Sequence, residues 1–279
     1  MGLMNASDSP AAIRRPEEEV VGRLRSGGPA LVALSGGVDS SLVAAFAVQA
    51  LGSTAVAVTL SGPAVAQAEV ERARKVAAFL GIAHEVLPVD PLAREEYRTN
   101  PTNRCFFCRT VETAVLRSYG DCRGVLQFLD GIHLDDLSDD RPGLKAMDNA
   151  GFVHPLLWAG WTKADVRRAA RQRALPNYDQ PSEACLASRV AHGQPISREV
   201  LAQVEAAEAF VQARGFRRVR VRVHGNSARV EVDPDEVARL ITEPVAREVR
   251  SALRALGFDA VALDLEGYGH GCLRASSVP

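Results

Sequence analysis

Short apolar runs alternate, along the first half of the chain, with longer segments whose apolar residues recur at helical spacing. The apolar runs predict strands at Ala30–Leu34, Thr54–Leu60, His84–Val89 and Val125–Asp130. The periodic segments between them predict helices at Ser40–Leu51, Gln67–Leu80 and Cys108–Tyr119. Alternation of this kind is typical of an α/β fold with a doubly wound parallel sheet, in which ligands bind at the carboxyl ends of the strands.

The pattern changes in the last third of the chain. A helix at Lys163–Arg173 begins with Thr162 and Asp165 in capping-box spacing, and from Ser197 the order becomes helix, strand, strand, helix, strand. These elements are predicted at Arg198–Arg214, Arg218–Val223, Ala228–Val232, Pro234–Leu256, with a break near Pro244, and Ala260–Leu265. The sequence therefore predicts a loose tail at 1–10, a large α/β domain at 11–190 and a smaller C-terminal α+β domain at 197–275.

The turn between the first predicted strand and helix has the composition of a phosphate-binding loop. Gly36 and Gly37 let backbone N–H groups approach an anion, Ser35 and Ser40 add hydroxyl groups, and the following helix directs its positive dipole end to the same place. Neither the Walker spacing nor the dinucleotide-binding spacing is present. SGGVDS instead resembles the PP-loop of ATP pyrophosphatases, in which Asp39 would bind Mg²⁺. The alternative is an ordinary glycine-rich turn without a ligand.

The cysteines form a second chemical pattern. Cys105 and Cys108 are spaced C-x-x-C at the start of a predicted helix, where the helix dipole stabilises thiolates. Redox, zinc and iron–sulfur sites all use this spacing. Cys185 is a third cysteine, beside a Ser and an Arg, and three thiolates can hold a [4Fe–4S] cluster with one iron open. Cys122 and Cys272 lack such surroundings and are interpreted as structural or incidental.

Composition narrows the range of functions. The 279 residues carry a formal net charge of −1 and a pI near 6.6, without a long basic block, which disfavours a nucleic-acid partner and favours a small-molecule substrate. No apolar run is long enough to span a bilayer, and the N-terminal segment does not resemble an export signal. We therefore expect a cytoplasmic protein without a membrane partner, whose cysteines do not form a disulfide framework.

Four motifs, taken together and in this order, resemble the LarE family of ATP-dependent sacrificial sulfur transferases. They are SGGVDSS at 35–41, NRCFFC at 103–108, DGIHLDDLSDDRPG at 130–143 and ACLASR at 184–189, and the likeness runs from about residue 30 to 267. The resemblance implies that the protein adenylates the carboxylates of pyridinium-3,5-biscarboxylic acid mononucleotide with Mg-ATP. Replacement of oxygen by sulfur would then give thiocarboxylates for the nickel-pincer nucleotide cofactor.

The resemblance also implies roles for individual residues. ATP phosphates and Mg²⁺ would be bound by Ser35, Gly36, Gly37, Asp39 and Ser40. Cys185 would handle sulfur while Ser188 and Arg189 position the acyl-phosphate. A second metal contact, or the shape of the loop above the pyrophosphate, would come from Asp130, Asp135 and Asp136. Contacts to substrate phosphate or metal would come from Glu208, Arg220 and Arg222. In single-cysteine members Cys185 would give up its own sulfur; since Cys105 and Cys108 are present, we favour the branch in which all three cysteines hold a [4Fe–4S] cluster that delivers sulfide.

Several alternatives stay open from the sequence. Arg218, Arg220 and Arg222 alternate with valines and are either a solvated strand face or a positive stripe for a phosphate. The acidic residues after position 130 are either ligands or solvated loop residues, Glu208 is either a site residue or helix surface, and the C-x-x-C is either part of a cluster, a zinc half-site or a disulfide. A homohexamer and a sulfide donor as partner are expected by resemblance only.

Other functions compete with this interpretation. A PP-loop tRNA thiolase would share the loop and three cysteines but would require a basic RNA-binding surface. A non-catalytic nucleotide-binding iron–sulfur carrier belongs to a different class, and an amidating ligase would need a glutaminase domain. The tail also departs from the family, because Gly269 stands where related chains have an Arg, and His270 or Arg274 would have to replace that phosphate contact.

Overall fold

The computed structural model of this chain describes residues 15–138 and 142–268. The predicted loose tail at 1–10 and part of the acidic stretch, at 139–141, lie outside the described residues. So do the tail positions that the sequence singles out, namely Gly269, His270, Cys272 and Arg274.

The described residues cluster into two compact units. The first comprises residues 15–61, 67–89, 109–138 and 142–180, and the second comprises 62–66, 90–108 and 181–268. The second unit therefore takes in two segments from the first half of the chain in addition to the C-terminal part. The domain limits drawn from the sequence, at 190 and 197, stay a prediction.

A five-stranded parallel sheet forms the first unit. Its strands are β1 (Ala30–Ala33), β2 (Ala55–Ser61), β3 (Ala83–Pro88), β4 (Gln127–Leu129) and β5 (Phe152–Val153). Their order in the sheet is β3-β2-β1-β4-β5. The helices that begin in this part of the chain are α1 (Glu17–Gly27), α2 (Val38–Leu51), α3 (Gln67–Leu80), α4 (Glu95–Arg98), α5 (Arg104–Asp121), α6 (Pro142–Asn149), α7 (Pro155–Trp158) and α8 (Lys163–Gln172). Of these, α4 and the first turn of α5 belong to the second unit.

The core of the first unit is centred on β1 and α2, which are apolar on nearly every side. Leu31 and Val32 of β1 are fully buried, as are Leu42 and Phe46 of α2. A parallel strand in the middle of a sheet is covered on both faces, which explains a continuous apolar run rather than an alternating one. The buried Trp161 packs edge-on against Phe46, with ring centroids 5.7 Å apart.

The second unit contains a three-stranded sheet with helices. Its strands are β6 (Val219–His224), β7 (Ser227–Val232) and β8 (Ala260–Leu263), with β6 antiparallel and β8 parallel to β7. The helices are α9 (Arg198–Gln212), α10 (Val237–Ile241) and α11 (Val245–Ala255). The core packs valines of β6 and β7 against apolar residues of α9 such as Leu201 and Val204.

The predicted fold class is confirmed: a parallel α/β sheet is accompanied by a smaller α+β part. The break predicted near Pro244 separates α10 from α11. The two-residue strand β5 was not predicted from the sequence, because two residues are too few to show a periodicity. Within the described residues, no helix combines the length and the apolar character needed to cross a membrane.

Candidate functional site

The loop between β1 and α2 depends on a glycine that no other residue could replace without strain. Gly36 has φ +83°, and a Cβ atom there would lie 2.5 Å from the carbonyl oxygen of Glu69. Hydrogen bonds close the loop on itself: the Ser35 N–H donates to Ser40 Oγ (3.1 Å) and the Gly37 N–H to Ser35 Oγ (3.3 Å). The result is a tight turn that leads directly into the N-terminus of α2, as an anion-binding loop requires.

A second glycine brings the end of β4 against this loop. A Cβ atom on Gly131 would lie 2.6 Å from the backbone nitrogen of Ser40 and 2.8 Å from the Asp39 carbonyl carbon. Only a residue without a side chain permits this approach. The Asp130–Gly131 segment thus lies beside the loop at the carboxyl edge of the sheet, where the sequence placed it.

Asn177 holds the loop from outside, and sequence reasoning missed it. Its buried amide nitrogen donates to the Gly36 carbonyl oxygen (2.8 Å) and to Ser41 Oγ (2.9 Å). The Ser41 hydroxyl in turn donates to the carbonyl oxygen of Gly37 (2.8 Å). An asparagine 136 positions after Ser41 in the chain carries no local sequence signal of such a contact.

Asp39, the predicted Mg²⁺ ligand, already binds a cation of the protein. The Lys163 ammonium donates to both carboxylate oxygens of Asp39, at 2.7 and 2.5 Å, and His133 Nε2 lies 3.7 Å from Asp39 Oδ1. A carboxylate that accepts a compact ammonium with both oxygens has the donor chemistry for a hard divalent cation, so the residue fits Mg²⁺. The predicted helix at Lys163 and its capping box are confirmed, but no sequence pattern assigned a role to the lysine itself.

The acidic residues after β4 bond to neighbouring groups of the first unit. Asp130 is buried and accepts hydrogen bonds from the His154 ring (2.8 and 2.9 Å) and from the Ile132 N–H (3.1 Å). Asp135 accepts from the Lys163 N–H (2.9 Å). Asp136 similarly accepts from the backbone N–H of His133 at 3.0 Å. The alternative of a solvated loop residue is therefore wrong for Asp130.

His154 is shifted toward its charged form by this arrangement. Burial favours the neutral ring, but hydrogen bonds and charge interactions with Asp130 and Asp148 outweigh it, raising the pKa of His154 to about 8. Since the folded pKa lies above the usual 6.5, the pair stabilises the fold at lower pH. That contribution is lost as the pH rises through about 8.

In the second unit, a buried ion pair anchors the backbone around Cys185. Arg189 Nε and Nη2 donate to the two carboxylate oxygens of Glu208, at 2.8 and 2.9 Å. Arg189 Nη1 donates to the carbonyl oxygens of Ala184 and Cys185 and to Ser188 Oγ. Burial of Arg189 disfavours its charge, yet Glu208 outweighs this and raises the pKa of the guanidinium. The predicted residues are thus brought together, and Glu208 is buried rather than helix surface.

The arginines of β6 extend this cluster. Arg220 and Arg222 are buried, so the solvated-face alternative is wrong for them, while Arg218 is partly exposed and pairs with Asp233. Arg222 pairs with the buried Glu231, and Arg220 lies over the Tyr268 ring, 4.3 Å from its centroid. Burial, together with the charges of Arg189 and Arg222, lowers the pKa of Arg220.

The C-x-x-C lies in the first turn of α5, as predicted, with Cys105 exposed and Cys108 half-buried. Both Cys108 and Cys185 pack against the core of the second unit. Among residues 15–138 and 142–268, however, no three side chains of the metal-binding types are grouped closely enough to share an ion. The [4Fe–4S] cluster expected on the three cysteines therefore stays a prediction.

A buried asparagine connects the segment before the C-x-x-C to the segment after Cys185. Asn100 is fully buried with φ +54°, and its amide nitrogen donates to the Ala191 and Gln194 carbonyl oxygens at 2.8 and 3.0 Å. Its side-chain oxygen accepts from Arg104 Nη1 (2.6 Å), and its carbonyl accepts from the Gly193 N–H (2.9 Å). We call Asn100 and Arg104 the cysteine clamp.

Comparisons with known proteins agree with this architecture. The family described as Asparagine synthase matches residues 17–99, which contain the loop at 35–40. The chain is 38% identical over 244 residues to an uncharacterized protein of Synechocystis sp., spanning 88% of this chain and 91% of that protein. A 26% identity over 238 residues relates it to an uncharacterized protein of Methanocaldococcus jannaschii, spanning 85% and 90% of the two chains.

A third relative carries a functional name. It is the pyridinium-3,5-bisthiocarboxylic acid mononucleotide synthase of Lactiplantibacillus plantarum, 32% identical over 241 residues that span 86% of this chain and 87% of that enzyme. Fold and loop define an enzyme built on a PP-loop ATP pyrophosphatase domain. Within that class, the chain belongs to the LarE family of sulfur transferases, as the four motifs indicated.

Replacing Asn177 by Ala should loosen the loop. Because the Gly36 carbonyl and the Ser41 hydroxyl lose a buried partner, we expect the free energy of unfolding to fall by about 1–3 kcal/mol. Amide hydrogen exchange at residues 36–41 should accelerate at the same time. Asn149→Ala, at an exposed asparagine of the same unit, is the matched control; equal exchange in both variants would contradict the role of Asn177.

His154 should titrate near pH 8 in an NMR titration of the ring protons. In Asp130→Asn the carboxylate charge is lost, so the pKa of His154 should fall markedly. A titration midpoint near 6.5 for His154 in the unmodified protein would contradict the interaction of His154 with Asp130. His84, whose pKa burial lowers, serves as an internal control that should be unaffected by Asp130→Asn.

Asn100→Gly should release the cysteine clamp without backbone strain, because glycine accepts φ +54°. We expect faster alkylation of Cys185 and Cys108 by iodoacetamide, measured by mass spectrometry of peptides, while circular dichroism stays unchanged. The exposed Cys122 of the first unit is the internal control. Unchanged alkylation of Cys185 in a folded variant would show that the clamp does not position it.

Proposed function

We propose that this protein is an ATP-dependent sulfur transferase acting on a pyridinium dicarboxylic acid mononucleotide. It adenylates a substrate carboxylate and then exchanges the activated oxygen for sulfur, giving a thiocarboxylate of the kind used in nickel-pincer nucleotide synthesis. The observation that carries the proposal is the placement of Cys185 on a backbone fixed by the buried Arg189–Glu208 pair. The name of the Lactiplantibacillus relative, a pyridinium-3,5-bisthiocarboxylic acid mononucleotide synthase, supports the choice of substrate.

Activation of the carboxylate is assigned to the loop of the first unit. Its backbone N–H groups and the Ser35 and Ser40 hydroxyls suit the phosphates of ATP, and Asp39 would hold Mg²⁺. The metal, when bound, neutralises phosphate charge and polarises the bond between the α- and β-phosphates. The carboxylate oxygen attacks the α-phosphorus, pyrophosphate leaves, and the loop retains it.

Substrate recognition is assigned to the cluster of the second unit. Its buried guanidinium groups are Arg189, Arg220 and Arg222, whereas its buried carboxylates are Glu208 and Glu231. Since guanidinium groups bind phosphate through paired N–H donors, the phosphate of a mononucleotide fits this cluster.

The sulfur step is assigned to Cys185. Its thiol lies close enough to Arg189 for their charges to interact, and a guanidinium is a favourable neighbour for the nucleophilic thiolate. The thiolate attacks the acyl-adenylate carbonyl, displacing AMP and forming a thioester. Loss of the Cys185 Cα proton to a base then breaks the Cβ–S bond, leaving thiocarboxylate on the substrate and dehydroalanine in the chain.

The source of sulfur is a separate prediction. The sequence favours sulfide bound to a [4Fe–4S] cluster on Cys105, Cys108 and Cys185, in which case Cys185 survives turnover. The described residues group no such ligand set, and this favours the sacrificial route, in which Cys185 gives up its own sulfur. Loss of one H₂S per chain in the intact mass after turnover indicates the sacrificial route. About four irons bound after anaerobic reconstitution, and lost in Cys105→Ser, indicate the cluster.

Cys185→Ser separates the two halves of the reaction. We expect the variant to form pyrophosphate and the acyl-adenylate from ATP and the dicarboxylate, because adenylation does not need the thiol. Thiocarboxylate, measured by mass spectrometry, should fall to background.

Cys122→Ser is the matched control, because this exposed cysteine lies in the first unit and has no assigned role. It should resemble the unmodified protein in both products. Sulfur transfer by Cys185→Ser at the unmodified rate would overturn the proposal, as would failure of the unmodified protein to release pyrophosphate.

A further inference from the structure

Lys163 lies at a position of its helix that disfavours a positive charge. It is the first residue of α8, where the helix dipole favours negative side chains and disfavours an ammonium. Thr162 caps this helix and Asp165 completes the capping box, so the position of Lys163 is fixed by two reciprocal bonds. A cation held at this end of a helix needs a compensating partner, and Asp39 supplies it.

Lysine is a rare residue in this chain. The chain contains 3 lysines among its 33 basic residues, the other 30 being arginines. The arginine guanidinium is a planar fork that binds carboxylates and phosphates through two N–H groups. The lysine ammonium is instead a compact point charge, comparable to a small cation. In this arginine-rich chain, a lysine meets the one carboxylate of the loop that would hold Mg²⁺.

We propose that Lys163 is an internal counter-ion of Asp39 that a divalent cation replaces when nucleotide or pyrophosphate binds. The inference rests on the proposed use of the loop for ATP. The ammonium donates to both Asp39 oxygens at 2.7 and 2.5 Å, so a divalent cation that binds the same carboxylate at about 2.1 Å meets its positive charge. The two cations therefore compete for Asp39, and metal binding favours departure of the ammonium.

After displacement, the Lys163 ammonium stays beside the loop because the Lys163 backbone is anchored at the start of α8. The backbone N–H of Lys163 donates to Asp135 Oδ2 at 2.9 Å. A mobile four-carbon stem lets the charged end turn from a carboxylate to a phosphate oxygen, which it binds as a point charge. Lys163 thus opposes metal binding in the free protein and supports pyrophosphate binding in the loaded one.

A fixed structural ion pair makes different predictions from an exchangeable counter-ion. If Lys163 only stabilises the fold, its removal changes stability and leaves metal affinity unaltered. If it competes with metal and later binds phosphate, its removal changes two affinities in opposite directions. Both side chains are about a quarter exposed, at 23% and 24%, so the exchange requires no unfolding.

The test uses Mn²⁺ as the probe, with free Mn²⁺ measured by electron paramagnetic resonance. Without pyrophosphate, Lys163→Met should bind Mn²⁺ about tenfold more tightly than the unmodified protein, because Asp39 is freed from its competitor. With saturating Mn²⁺, calorimetry should show pyrophosphate binding about tenfold more weakly to Lys163→Met. Lys163→Arg, which keeps the charge, should stay closer to the unmodified protein in the first measurement.

Three further variants locate the effect. Adding Asp39→Asn to Lys163→Met should abolish the gain in Mn²⁺ affinity, and Lys75→Met, at an exposed lysine of α3, should change neither affinity. Unaltered Mn²⁺ affinity in Lys163→Met overturns the inference, as does a gain that Asp39→Asn does not remove. If Asp39→Asn alone fails to weaken Mn²⁺–pyrophosphate binding, the proposed use of the loop fails as well, and this separates the two failures.

Discussion

The ion pair between Arg189 and Glu208 is the interaction on which the structure around Cys185 in the second unit depends. Both side chains are at least nine-tenths buried, and the guanidinium also donates to the carbonyl oxygens of Ala184 and Cys185, which flank the Cys185 Cα. Glu208 Oε1 additionally accepts from the Val221 N–H at 2.9 Å, which joins α9 to β6. Removal of one partner of such a pair leaves an uncompensated charge and costs about 3–5 kcal/mol. The backbone of Cys185 is therefore fixed by charge as well as by packing.

In the first unit, neutral groups rather than a buried ion pair fix the backbone of the loop between β1 and α2. Its loop is held by glycine conformation, by hydroxyls that bond within the loop and by an asparagine from a distant segment. The charged residue of this loop is Asp39, whose carboxylate pairs with Lys163 and lies farther from His133. The negative charge that the loop carries at Asp39 is thus balanced within the protein by Lys163.

Sequence patterns predicted what local chemistry encodes. Strand and helix periodicity predicted the parallel sheet, and SGGVDS predicted the loop, because glycines, hydroxyls and a helix start must be neighbours in the chain. The pattern could not reveal Asn177, Asn100 or Glu231, whose partners are brought together only by the fold. Alternating arginines on β6 were compatible with a solvated face, and only the burial of Arg220 and Arg222 excludes it. The identities of the cysteines predicted a ligand set, but spacing along a chain does not determine whether three thiols meet in space.

Transfer of isotope from substrate to AMP tests the central claim most directly. If a carboxylate is activated by adenylation, its oxygen must remain on AMP when sulfur displaces the nucleotide. Substrate labelled with ¹⁸O in the carboxylates should therefore yield AMP carrying one ¹⁸O for each sulfur introduced, read by mass spectrometry. AMP without the label, formed together with thiocarboxylate, would contradict the account.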